Sequence, residues 1–145
     1  MDIFRLLELA REYFLLEEGI LIEHHGEMLK ILEIDDSNSE HPHKQHKVYI
    51  TRRALKHVVE SRKKDLVKKH THEQAEIMVV FVVEMIPLVI QDFDIYELEP
   101  VNKHFYTKDF SDKGMPSVRV LVEKDEEDIF IRSVHFAKRT KKHRG

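Results

Sequence analysis

An α+β fold, with an N-terminal helix and hairpin followed by two helices packed on a four-stranded antiparallel sheet, is predicted by three features of the sequence. Apolar residues recur at helical spacing near the start and again between Thr51 and Ile90. After Gln91 the pattern changes to short segments of period two, and turn-forming residues separate them. The 145 residues are enough for one hydrophobic core.

From Ile3, the residues Leu6, Leu7, Ala10, Phe14 and Leu15 form a helical stripe, and Gly19 is a plausible stop. Ile20 to Glu23 and Met28 to Ile34 flank His24-His25-Gly26, which predicts a hairpin, although the second arm is also compatible with a helix. The polar stretch from Asp35 to Lys47 reads as a loop and sets a boundary between an N-terminal extension, residues 1–46, and a main domain, residues 47–145. Val48-Tyr49-Ile50 is a short strand that runs into Thr51, a good N-cap for a helix carrying Leu55, Val58, Val59 and Leu66 on its apolar side. Thr71-His72-Glu73-Gln74 has capping-box spacing and starts a further helix, which Pro87 should kink or end. Its β-branched run leaves a buried strand open for Met78 to Val83. Four strands follow, over Phe93 to Glu99, His104 to Phe110, Ser117 to Glu123 and Ile129 to Ala137.

The formal net charge of -3 conceals opposing blocks. Residues 1–40 hold three basic and eleven acidic side chains, whereas residues 41–72 hold ten basic and two acidic. The last eight residues add five more basic groups. Solvated surface explains any one such run, but two basic blocks brought together would present a cationic surface to a polyanion. The chain lacks cysteine, which excludes disulfides, thiolate metal sites and a cysteine nucleophile. The acidic start resembles no export signal, and the apolar run from Ile77 to Ile90 is too short to span a bilayer, so a cytoplasmic protein without a membrane partner is expected. Neither a Walker loop, a Rossmann fingerprint nor a Gly-x-Ser-x-Gly elbow is present, and no cofactor is expected.

Strand alternation places Ile129, Ile131, Ser133 and His135 on one face of the last strand, with Phe130, Arg132, Val134 and Phe136 on the other. Ser117, Arg119, Leu121 and Glu123 share a face of the strand before it. His104, Tyr106 and Lys108 share a face of an earlier one. On the helix after Thr51, Arg53, His57, Ser61 and Lys64 lie opposite the apolar stripe, and Lys56 lies at its margin. Isolated residues of these types are most often structural. As a set, His, Arg, Lys, Tyr and Ser without a carboxylate dyad suit a reaction in which negative charge accumulates on a phosphate, such as RNA cleavage.

The segment from Val48 to His57, the helix that follows, and the C-terminal strands with Arg119 and Ser133-Val134-His135-Phe136 resemble the barnase/EndoU/colicin/RelE-like nuclease group, particularly its phage and toxin members. The likeness covers about residues 47–140 and rests on element order and a Leu-Lys-His signature. It implies metal-independent endoribonuclease activity, with His57, Arg119, Ser133 and His135 as catalytic residues. Arg53, Lys56, Tyr106 and Lys108 would bind substrate. RNA and a cognate inhibitor protein are then the expected partners.

Three other classes compete. A noncatalytic module would bind nucleic acid or an acidic partner through the basic helix and tail. A metal protein would use His41, His43 and His46, three of the eleven histidines, although no firm ligand spacing joins them. Residues 1–46 would otherwise be an arm that pairs with an inhibitor or with another copy of the chain.

Overall fold

The computed structural model describes residues 3–137, so the basic tail at 138–145 lies outside the described residues. Three helices pack on a six-stranded mixed sheet, in the order α1 (Ile3–Leu15), β1 (Met28–Glu33), β2 (Lys47–Thr51), α2 (Arg52–Leu66), α3 (His72–Gln91), β3 (Ile95–Glu99), β4 (Lys103–Lys108), β5 (Ser117–Asp125) and β6 (Asp128–Ala137). Across the sheet the order is β1-β2-β6-β5-β4-β3. The expected antiparallel meander of four strands is therefore present as β3 to β6, but the sheet is larger. β2 joins it parallel to β6, and β1 adds an outer edge antiparallel to β2.

The α+β class holds, and the N-terminal hairpin does not. Met28–Glu33 is a strand, but its partner is β2, in the register Met28↔Thr51 and Leu29↔Ile50. Residues 20–23 form no strand, and Leu21 at their centre is 96% exposed. The physical reason is burial. β2 brings Val48 and Ile50, both fully buried, whereas the segment after Gly19 offers the core only the partly buried Ile22 and leaves Ile20 and Leu21 exposed.

Both predicted caps form. Thr51 accepts a bond from the Ala54 amide at 3.1 Å, and Thr71 and Gln74 exchange the two bonds of a capping box. Met78 to Val83 is helical, because α3 packs on α1 along one side and on β4 and β5 along another. A helix apolar nearly all round is what that position requires. Pro87 does not end it. The helix continues to Gln91 and fully buries Ile86, Val89 and Ile90. At ~1.5–3 kcal/mol for each such side chain, this burial outweighs the ~3 kcal/mol that a helical proline costs.

One hydrophobic core receives Leu9 and Phe14 from α1, Ile31 and Ile34 from the segment before residue 46, and Val118, Val120 and Val122 from β5. Residues on both sides of the expected boundary thus share it. On the sheet's other face stand Tyr49, Phe105, Leu121 and Phe130, none of which belongs to that core. All three helices lie on the core side, so among the described residues this second face has no helix over it.

Candidate functional site

The uncovered face takes its composition from an irregularity in the last strand pair. Leu121 stands opposite Ser133 and Val122 opposite Ile131, which leaves Arg132 as the extra residue of a β-bulge. Strict alternation is broken there. Ile129 and Ile131 therefore point into the core together with Val134, while Phe130, Ser133 and His135 share the uncovered face. This corrects the expected grouping of Ile129 and Ile131 with Ser133 and His135.

On that face Arg119 is the direct cross-strand partner of His135, and Ser133 opposes the neighbouring Leu121. Three of the four residues singled out as catalytic are thus brought together. The Arg119 guanidinium lies over the Phe105 ring, its Cζ 3.9 Å from the centroid. Glu97 and Glu99 approach the guanidinium at 3.6 and 3.8 Å. Those distances exceed a good hydrogen bond, and Arg119 Nε is buried with no bonded partner. The guanidinium is held in position with donors to spare. His135 is half-buried, and its pKa lies below the ordinary histidine value, first because burial disfavours the cation and then because the Arg62 and Arg119 charges oppose it. It is a neutral imidazole beside cationic groups.

Farther along the same face Tyr49 and Phe130 stack at 5.8 Å between centroids. The Arg132 guanidinium lies 5.8 Å from the Phe130 ring and donates from Nε to Glu123 at 2.6 Å. Aromatic faces beside guanidinium groups offer stacking surfaces for nucleobases.

His57 is placed elsewhere. It is exposed in a cleft of about 540 Å³ between α2 and residues 19–22, with Arg53, Lys56, Glu60 and His25. Lys56 is almost fully buried there and pairs with Glu60 at 3.0 Å, while the Gly19 amide donates to the same carboxylate at 3.1 Å. Arg53, Lys56 and His57 thus share one surface, and it is not the one occupied by Arg119, Ser133 and His135. Tyr106 and Lys108 face the core side of β4. Tyr106 is fully enclosed, its hydroxyl bonded to His43, and Lys108 donates to the Asp92 carbonyl at 2.9 Å.

The loop histidines fold inward. His41 is bonded to the Ile90 carbonyl oxygen at 2.7 Å and, through Nδ1, accepts from the His43 amide at 3.0 Å. His104 bridges the Tyr96 hydroxyl at 2.7 Å and Asn102 Oδ1 at 3.1 Å. Burial, then the charges of His104, His46 and other neighbours, push His43 down to about 3. Among the described residues no three His, Asp or Glu side chains are arranged to hold a metal ion.

Arg62 is the residue that reading the sequence missed. It is three residues after Val59, four after Val58 and four before Leu66, so it lies on the apolar stripe of α2 while the other cations lie outside it. That position was the available signal. β2 pairs with β6 only over Lys47–Tyr49, and α2, which leaves β2 at Thr51, packs against β6. Arg62 thereby comes close enough to oppose protonation of His135.

Among the described residues no helix is long and apolar enough to cross a membrane. No family model, curated protein or solved structure matches this chain.

Proposed function

We propose that this chain is a metal-independent endoribonuclease that works on the uncovered face of its sheet, with His135 as the proton acceptor. The supporting observation is the placement of Arg119 directly opposite His135 on a face that no described helix covers. A neutral His135 takes the proton from a ribose 2′-hydroxyl, and that oxygen attacks the adjacent phosphorus. Arg119 stabilises the charge that builds on the phosphate oxygens, and Ser133 orients the phosphate. The P–O5′ bond breaks, the 5′-oxygen takes a proton from solvent, and a 2′,3′-cyclic phosphate remains. His57 has no step in this scheme. Its cleft, with Arg53 and Lys56, is a second cationic surface along which the strand can run.

A toxin role, with a cognate inhibitor protein as partner, is the setting that the nuclease resemblance implies for such an activity. The test is incubation of the purified chain with RNA in EDTA. Shortened RNA bearing cyclic phosphate ends is expected, and it should disappear in His135→Ala while the far-ultraviolet dichroism is retained. Cleavage that persists in His135→Ala removes His135 from the mechanism.

A noncatalytic RNA-binding module is the second reading, favoured by the Tyr49–Phe130 stack and the adjacent Arg132. Under that reading RNA is bound and recovered at full length.

A further inference from the structure

A cavity of about 1060 Å³ opens where the end of α2, the residues between β4 and β5, and the end of β6 meet. We propose that it is a nucleotide subsite, in which a nucleobase lies among apolar side chains and its phosphate is held by Arg62 on the side toward His135; as a substrate subsite it rests on the RNA-directed function proposed above.

The walls are built for a flat apolar body. Leu66, Met78, Met115 and Phe136 line them, with the nearly buried Ser117 beside them. Two unbranched methionines adapt to a ligand's outline, and an aromatic ring provides a stacking partner for a base. The volume accommodates a ligand of nucleotide size.

The charged groups select an anion. Arg62, Lys68, Lys69 and His70 line the cavity against two acids, Asp65 and Asp109. Asp65 contacts Arg62 through one nitrogen at 3.2 Å and is itself largely exposed. Asp109 already accepts from the Ser111 amide and hydroxyl. The Arg62 side chain is 15% exposed, and its Nε is buried without a bonded partner. A guanidinium has five donors and no acceptor, so whatever completes its bonding must bring acceptor oxygens, and a phosphate does so in the matching planar geometry. Cavity and scissile centre adjoin through this residue. Ser117 and Ala137, which line the cavity, pair across β5 and β6 and by alternation share the face of Arg119 and His135, while Phe136 packs on the core side.

The experiment is titration of the full chain with the four ribonucleoside 3′-monophosphates, with the matching nucleosides and inorganic phosphate alongside, followed by amide chemical shifts and calorimetry. At least one nucleotide is expected to bind more tightly than its nucleoside and than phosphate, and to shift the amides of Leu66, Met78, Met115 and Phe136. Arg62→Gln should weaken that binding roughly tenfold, the size of one charge-assisted hydrogen bond. Lys69→Glu, at an exposed position, should weaken it in the same direction without touching the core. Binding that is absent, that is unchanged in both variants, or that shifts the amides of the Arg53–His57 cleft instead overturns the subsite. Nucleotide binding in the cavity by a chain that leaves RNA uncut keeps the subsite and removes the cleavage reading. RNA cleavage with unchanged kcat/KM in Arg62→Gln and Lys69→Glu does the reverse.

Discussion

Arg119 and His135 face each other across the β5–β6 pair, and the guanidinium lies over Phe105 with its Nε unbonded. Its role on the proposed reaction path depends on planar, multidentate contact with a phosphate, which lysine does not reproduce. Arg119→Lys is therefore expected to lower kcat/KM for RNA cleavage by about 10²–10³-fold, on the scale of losing an oxyanion donor. A loss under threefold, measured by initial rates on a labelled oligonucleotide, would show that Arg119 only braces the sheet.

The pH dependence of cleavage follows from His135. Burial and the Arg62 and Arg119 charges lower its pKa, so the neutral base persists below the ordinary value of 6.5 and is lost only as the pH falls through the lowered one. The acid limb of the rate profile should then lie below 6.5. Removing one opposing charge, in Arg62→Gln, should move it upward. An acid limb at or above 6.5 in the unmodified chain contradicts the assignment.

Stability should fall in acid for a separate reason. His41, His43 and His104 are packed against one another and against Tyr96 and Tyr106, and burial lowers the pKa of all three, that of His43 to about 3. The unfolded chain takes up their protons near 6.5 and the folded chain does not. Each histidine therefore costs up to about 1.4 kcal/mol of stability per pH unit as the pH drops from 6.5 toward its folded pKa. Urea midpoints measured between pH 7 and pH 4 should decline, and His43→Phe should flatten the slope. A midpoint independent of pH over that range rules the cluster out as the acid-sensitive element.

Phe14 tests whether the N-terminal elements are part of the fold or an appendage. It is completely buried, its ring meets His72 at 4.9 Å, and Lys63 lies over it at 4.7 Å. Phe14→Ala should cost about 3–5 kcal/mol in a denaturant titration. Loss of less than 1 kcal/mol would mean that α1 is held only loosely against the rest.

Glu60 holds the nearly buried Lys56 Nζ and also accepts from the amide of the exposed Gly19. Glu60→Ala strands the Lys56 ammonium, and a cost of about 1–3 kcal/mol is expected because an orphaned buried donor loses its compensation. Replacing both partners, as Lys56→Met with Glu60→Leu, should recover much of that loss. Thermal melts of the three chains decide it, and a double variant no more stable than Glu60→Ala would refute the pairing argument.

The local rules were legible in the sequence. Thr51 and Thr71 cap their helices because a side-chain oxygen three residues before a free amide is a local arrangement. The four strands after Gln91 appear where period-two alternation places them. Arg119 and His135 were legible as candidates, and Ser133 with them. That Ser133 and His135 share a face was legible as well; that Ile129 and Ile131 point away from it was not, since the extra residue at Arg132 shifts the alternation by one and no local signal marks it. Pairing of β1 with β2, instead of with residues 20–23, is likewise a choice between distant partners that periodicity cannot make.

By itself the sequence determined an α+β chain with three helices, the N-caps of the second and third, and a strand-rich second half, because propensity, capping and periodicity act over a few neighbouring residues. The tertiary structure alone decided that β2 enters the sheet beside β6, that Arg119 and His135 meet while His57 turns to another cleft, and that Arg62 of α2 lines one cavity with the end of β6. Those outcomes depend on contacts between residues tens of positions apart. Burial of one shared core selects them, and that is a property of the whole packed chain.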